Sequence, residues 1–385
     1  MRRYLTIRLV QVVITYFLFL TAVFFLIDAQ PGNFGAAYYS NPRMTAEARK
    51  TIRSQMGLDK PTGERYLLWL GNFLRGNLGV SLSDYPRPVS SIILERAPRT
   101  LTLFLTATII SFYLGFLAGK LLAWKRGGFV EYASTLGGVM LYTVFTPWFA
   151  LMMIWLFAVG LDLFPIGKFI TVDLWSKAPA YLTANNVFNP LILTGIIVAA
   201  LLLIWSQTVR RFSPGRRRIA LWTGVAVILL LTIVPWALSG RGQYALDILK
   251  HLILPVFTLT MISFAGTMLL TRNSMLETLR EDYIVTARAK GLPESVIRDK
   301  HAARNAMLPV VTSLVFSLAF AIGGGIITET MFSWPGMGLT LLTAVQLEDI
   351  PLAIGALVFT GILALLAHVV ADVLYAYLDP RIRYQ

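Results

Sequence analysis

Eight apolar runs, each long enough to cross a bilayer, leave this 385-residue chain few ways to fold. They occupy approximately residues 9–27, 101–123, 135–159, 190–205, 219–238, 252–270, 307–332 and 351–371. A helix of roughly 17 to 25 apolar residues matches the thickness of a hydrocarbon core. With 56% hydrophobic and only 14% charged residues, a soluble domain of this length is excluded. The expected fold is therefore an all-α polytopic membrane protein with eight spans.

Its formal charge of +14 does not point to nucleic acid. Much of the Lys and Arg lies in short connectors beside apolar runs, with no basic face interleaved with base-stacking aromatics. No nucleic-acid partner is expected; anionic headgroups are the natural counter-charge. There is no cysteine, which excludes disulfides, thiolate metal sites and cysteine nucleophiles.

Orientation follows from the short connectors. The even-numbered ones carry Lys125 and Arg126, then Arg210, Arg211, Arg216, Arg217 and Arg218, then the seven Lys/Arg of segment 272–305, and the tail adds Arg381 and Arg383. The odd-numbered ones hold Lys168 and Lys177, Arg241 and Lys250, and none between residues 333 and 350. The positive-inside bias places both termini in the cytoplasm. Arg2, Arg3 and Arg8 before the first run resemble a signal peptide, but that run is too long and no small-residue cleavage site follows it, so a retained helix is expected. In the long first loop, Thr45 can cap a helix through Met56, and Pro61 with Thr62 can open another that ends at Gly76. The face formed by Tyr66, Leu67, Leu70 and Phe73 needs a partner, expected at the outer ends of the membrane helices.

Ionisable residues inside the spans are scarce, so the chain has little means of coupling to an ion gradient. Lys120 and Asp372 fall near the inner boundary, where they can snorkel or pair, and Glu329 near the outer one. His368 and Asp372 share a helix face; an interhelical hydrogen-bond pair is favoured there over a proton relay. Gly323, Gly324 and Gly325 stand within the seventh run, either lining a pathway or allowing helices to pack closely. Trp124, Trp148, Trp205 and Trp334 read as interface belts. No phosphate-cradling Gly-rich loop, zinc-protease signature or nucleophile elbow occurs, so no enzymatic activity and no resident cofactor are expected.

Segment 272–305 is polar, basic and flanked by apolar runs, which makes it a water-exposed docking surface held by two membrane helices. Asp282 can cap a helix through Lys290, Gly291 can end it, and Pro293 can start a second with Glu294 in its first turn. Two short helices with a sharp bend are expected, presenting Ala287, Ala289 and Gly291 as a small-residue surface that another protein can approach.

Here the sequence resembles the permease subunits of ABC importers of the dipeptide/oligopeptide type. Asp282-Tyr283-Ile284, Thr286 to Gly291, Arg304-Asn305-Ala306 and Leu308-Pro309 are similar to that family's ATPase-docking loop. Glu329 to Gly338, the tail from Asp372 to Arg383, and Trp69 to Ser81 of the outer loop continue the resemblance. It covers roughly 1–167 and 247–385 and stops between them. The implied core has six helices, to which this chain adds a hairpin, 190–205 and 219–238, joined by the arginine-rich turn; either anionic lipid or a subunit contact suits that hairpin.

The organisation expected is an N-terminal helix over 1–28, an external loop with short helices over 29–99, two helices over 100–167, the insertion over 168–246, and a membrane core over 247–385 holding the docking loop 272–306. What the resemblance implies is one half of a pore. A second similar permease, two ATPase subunits that bind ATP and Mg, and an external substrate-binding protein complete it. Docking is assigned to Ala287, Ala289, Gly291 and Arg304, with Asp282 as cap. Peptide cargo is expected, with oligosaccharide, glutathione or nickel complexes as alternatives within the same transporter type. An ion-coupled secondary transporter would need intramembrane acids or an inverted repeat, and neither is evident.

Overall fold

The computed structural model describes residues 2–29, 59–125, 127–322 and 325–378, together with 45–47, 50, 54 and 57. Among these residues the regular elements are all helical, and the single extended pairing is a bridge between Val80 and Pro88. Six helices are long and apolar enough to cross a membrane: Thr6–Asp28, Val89–Trp124, Ala184–Val209, Gly215–Leu238, Gly242–Thr278 and Ile350–Val370. Helices Phe129–Thr143 and Thr146–Gly160 make a seventh only if counted together, because they meet at 105°. The break falls at Val144 and Phe145, just before Pro147, and interrupts the run expected at 135–159. The run expected at 307–332 is also divided, into Ala303–Ile322 and the short Ile326–Met331. Gly323 and Gly324 lie outside the described residues, as does most of the helix expected at 45–56.

By contact the chain forms two compact units, residues 1–153 with 255–385, and residues 154–254. In the first, helix Ile350–Leu378 packs against Arg2–Asp28 and Ala303–Ile322, and the latter also packs against Val89–Trp124. Close approach is built into the sequence. A Cβ at Gly115 or Gly119 would overlap Thr267 or the backbone at Met268, so helices Val89–Trp124 and Gly242–Thr278 touch through glycine.

The first-loop helix Thr62–Leu74 follows Pro61, and the chain leaves it through Gly76 at φ +77°. Leu70, Phe73 and Trp69 pack on a cluster of Leu20, Val23, Ile354 and Val358 from the first and last helices. Tyr66 meets Phe24 and Phe25 and its hydroxyl lies 2.7 Å from that of Thr21, while Arg65 pairs with Asp28. Leu67 does not join this face and is 67% exposed. Positions 66, 69, 70 and 73 follow the i, i+3, i+4, i+7 rule; 67 is off the stripe.

Two buried carboxylates, Glu329 and Asp349, organise part of this unit. Glu329 accepts from Thr100 Oγ1 at 2.7 Å and from the Leu339 amide at 2.9 Å, and Thr100 Oγ1 in turn accepts from the Met337 amide at 2.7 Å. Gly336 is required beside them, since a Cβ there would overlap both Glu329 and Thr100. Trp334 is not an interface anchor. It is fully buried and donates its indole N–H to the Arg99 carbonyl at 3.2 Å, which answers the cost of burying that donor. Asp349, also fully buried, accepts from Ser83 N at 2.9 Å, Ser83 Oγ at 2.7 Å, Ser81 Oγ and the Leu352 amide at 3.2 Å. It thereby caps the last helix and ties it to the first loop at Ser81 and Ser83.

In the second unit, helices Ala184–Val209 and Pro214–Leu238 form an antiparallel hairpin. Trp205 Nε1 donates to the Ala220 carbonyl at 3.1 Å and Trp236 Nε1 to Thr194 Oγ1 at 3.3 Å. Asp247 accepts from the Thr171 amide at 3.0 Å, Thr171 Oγ1 at 2.6 Å and Trp175 Nε1 at 2.8 Å, fixing the connector to its helix.

Candidate functional site

The polar segment folds as one helix, a tight turn, and a second helical stretch that runs without interruption into the apolar helix Ala303–Ile322. Helix Asp282–Ala289 has Glu281 in the N-cap position, with extended φ −69° and ψ 144°. Asp282 therefore does not cap it. Asp282 is the first helical residue, where its charge faces the positive end of the helix dipole.

Gly291 ends the helix as the sequence requires. Its φ is +72°, its amide donates to the Arg288 carbonyl at 2.9 Å, and the next amide, of Leu292, donates to the Ala287 carbonyl at 3.3 Å. This pair of bonds is a Schellman closure, which needs a left-handed residue at that position. Pro293 then opens Glu294–Val296, which continues as a π-helical stretch, Ile297–Ala302, and as Ala303–Ile322. The expected second short helix is thus the beginning of the apolar helix Ala303–Ile322. Continuity matters, because a displacement at Pro293 has no hinge loop in which to dissipate.

A small core holds the segment. Ile284, Ala287, Ile297, Ala302, Ala303 and Ala306 bury themselves with Met275 and Ala123, flanked by Trp124 and Leu292. Five of these eight residues are alanine, so backbones come close and little side-chain freedom remains. Ala287 is consequently not part of an outward surface; it is 6% exposed and faces this core. The outward face carries Tyr283, Val285 at 58% exposure, Thr286, Arg288, Ala289 and Lys290. Gly291 and Arg304 are exposed as well, and no atom lies within 4 Å of where a Gly291 Cβ would stand. The structure thus brings Ala289, Gly291 and Arg304 to the surface and turns Ala287 away. Val285 escaped the sequence reading, although inward Ile284 and Ala287, three apart, already place position 285 on the opposite side.

Polar contacts reinforce the core. Ser274 Oγ donates to the Ala306 carbonyl at 2.9 Å, Asn305 Nδ2 to the Tyr283 hydroxyl at 2.8 Å, and Arg288 lies 3.3 Å from Glu294 across the turn. Lys120, expected to snorkel or pair, has its Nζ 2.9 Å from Asp299 Oδ1. Arg298 also pairs with Asp299 at 2.7 Å and sits over the Trp124 ring. The Arg298 hydrogen bond, with the Lys120 ammonium beside it, holds the Asp299 carboxyl well below the usual carboxylate range. At the start of the segment, Arg272 Nε donates to Glu131 Oε1 at 2.9 Å, and Glu131 also accepts from the Gly127 amide at 2.7 Å. The segment is therefore fastened to helices Val89–Trp124 and Gly242–Thr278 and is continuous with Ala303–Ile322.

Of the three glycines in the seventh run only Gly325 is described. A Cβ there would overlap the Phe104 ring, which makes it a close-packing position against helix Val89–Trp124. His368 Nδ1 lies 3.0 Å from the Ala364 carbonyl in its own helix, and the side chain of Asp372 lies outside the described residues.

Residues 111–384 match the family described as binding-protein-dependent transport system inner membrane component, and residues 1–104 match its N-terminal counterpart. The chain belongs to this family. The match over 111–384 runs through 168–246, where the short motifs show no resemblance. The di/tripeptide transport system permease protein DppB of Pseudomonas aeruginosa is 31% identical over 98% of this chain and 98% of its own length. The oligopeptide transport system permease protein AppB of Bacillus subtilis is 29% identical over 94% and 93%, and the dipeptide permease DppB of Escherichia coli K12 is 31% identical over 89% and 87%. This chain is the membrane permease component of an ABC importer.

Proposed function

We propose that the permease forms one half of a translocation path for di- and oligopeptides, with both termini and the segment 272–306 in the cytoplasm. Eight spans in this reading put the docking loop on the same side as the termini, and the basic connectors favour that side. A second similar permease supplies the other half, two ATPase subunits holding ATP and Mg dock on the loops, and an external binding protein delivers cargo. Ala289, Gly291 and Arg304, joined by Tyr283 and Val285, form the docking face.

The observation that carries this reading is the alanine-rich core beneath that face. Force applied to Val285 reaches three membrane helices through packed side chains and the Lys120–Asp299 pair, with no flexible linker between. Interiors of this density move as bodies rather than deform.

The test is uptake of labelled di- and tripeptides by vesicles holding the whole complex, with binding protein and ATP. Uptake competed by oligosaccharide and not by peptide would remove the cargo assignment. Because the chain has no cysteine, Ser295→Cys is a unique label site. Its reaction with an impermeant reagent from outside intact cells would overturn the topology.

A further inference from the structure

The arginine turn of the hairpin is not accounted for by docking or by the fold. Arg210 and Arg211 follow helix Ala184–Val209, and Arg216, Arg217 and Arg218 lie in the first turns of Pro214–Leu238. All five are exposed and none has an ion pair among the described residues. No Asp or Glu occurs anywhere between residues 174 and 246. Three of the arginines crowd the positive end of a helix dipole, where acidic residues would be stabilising and basic ones are not. The dipole thus opposes Arg216, Arg217 and Arg218, while Arg210 and Arg211 stand at the C-terminal end of the preceding helix, where it favours them, and five like charges repel one another within one turn. An anion from outside the hairpin offsets this beyond what water and salt screen.

The rest of the hairpin says which anion. Beyond the turn, Ile196, Ile204, Leu230, Leu231 and Ile233 stand exposed, as lipid-facing residues do. Phe212 and Trp222 are exposed near the arginines, at the level where aromatic rings meet headgroups. The two helices are locked together, since a Cβ at Gly224 would overlap the Trp205 indole, whose N–H is already bonded to the Ala220 carbonyl. We propose that residues 210–218 form a preorganised binding site for the phosphate groups of anionic phospholipids. Guanidinium suits this ligand, because its planar fork meets phosphate oxygens in pairs while the side-chain stems stay in the acyl boundary. Which leaflet the site faces rests on the topology proposed above; the lipid contact does not.

The full chain carrying Ser213→Cys and an environment-sensitive fluorophore is reconstituted in phosphatidylcholine vesicles containing increasing phosphatidylglycerol in both leaflets, so an inverted hairpin still responds. A saturable signal is expected, unmoved by free inorganic phosphate and weakened about fivefold in apparent lipid affinity for each Arg→Gln change. Changing all five to Lys keeps the response at reduced strength, and an impermeant quencher verifies that single Gln variants keep the wild-type orientation. An equal response from the five-Gln variant, competition by inorganic phosphate, or a signal that requires the ATPase subunits and not phosphatidylglycerol would overturn the assignment.

Discussion

Lys120 Nζ lies 2.9 Å from Asp299 Oδ1 and joins a membrane helix to the polar segment 272–305, two places 179 residues apart in the chain. Asp299 is 43% exposed, so the pair adds little to stability, on the order of a few tenths of a kcal/mol in water. Its value is positional. Lys120→Met is expected to leave thermal unfolding nearly unchanged while lowering the stimulation of ATPase activity by loaded binding protein several-fold. Reversing the pair, Lys120→Asp with Asp299→Lys, should recover part of it; a single mutant with full stimulation removes the pair from the coupling route.

The same contact has a defined pH behaviour. A carboxyl whose folded pKa is depressed stabilises at every pH above its unfolded value and loses that contribution only as pH falls through the folded one. The Asp299 contact should persist from neutral pH through the ordinary carboxylate range and fail only below it. Carboxyl-carbon NMR of labelled Asp299 reads this directly, and Arg298→Gln should move the titration upward more than Lys120→Met. The opposite ranking would contradict the dominance of the Arg298 bond.

Gly291 is held at φ +72° with open space around it. Gly291→Ala is therefore expected to cost about 1 kcal/mol through backbone strain alone, with Asn tolerated better. Gly291→Pro also removes the amide bonded to Arg288, so coupling should be lost. Thermal unfolding together with ATPase stimulation separates the two, and an alanine variant as stable as wild type would show the turn relaxing without strain.

Ala287 and Val285 give a paired test of the docking face. Ala287→Leu overfills the alanine core and should destabilise by about 1 to 3 kcal/mol. Val285→Arg changes only the exposed side, so expression and unfolding should stay as in wild type while retention of the ATPase subunits on purification falls sharply. Undiminished retention in Val285→Arg would place the docking face elsewhere.

Asp349 accepts bonds from the first loop, at Ser83, and from the start of the last helix at once. Asp349→Ala removes a cap and takes the acceptor from buried Ser81 and from the Ser83 amide and hydroxyl, a loss of about 2 to 4 kcal/mol. Ser83→Ala should cost less. Equal unfolding temperatures for wild type and Asp349→Ala would show that the loop does not depend on this carboxylate.

Much of this protein follows from residues near one another in sequence. A long apolar run has no alternative to a helix, Gly291 after a helical stretch takes the left-handed turn, and the 66, 69, 70, 73 spacing makes one sticky stripe on helix Thr62–Leu74. Those outcomes depend on bonds and side chains within a few residues, so the sequence alone determined them, along with the family motifs. The inward turn of Ala287, the burial of Trp334, the Glu329–Thr100 bond and the partner of Lys120 belong to the tertiary structure. Each depends on a neighbour that packing brings from elsewhere in the chain, as Thr100 comes to Glu329 from 229 residues away. A polar or aromatic residue at a helix end reads the same in sequence whether it meets lipid or a buried acceptor; only the packed neighbours decide which.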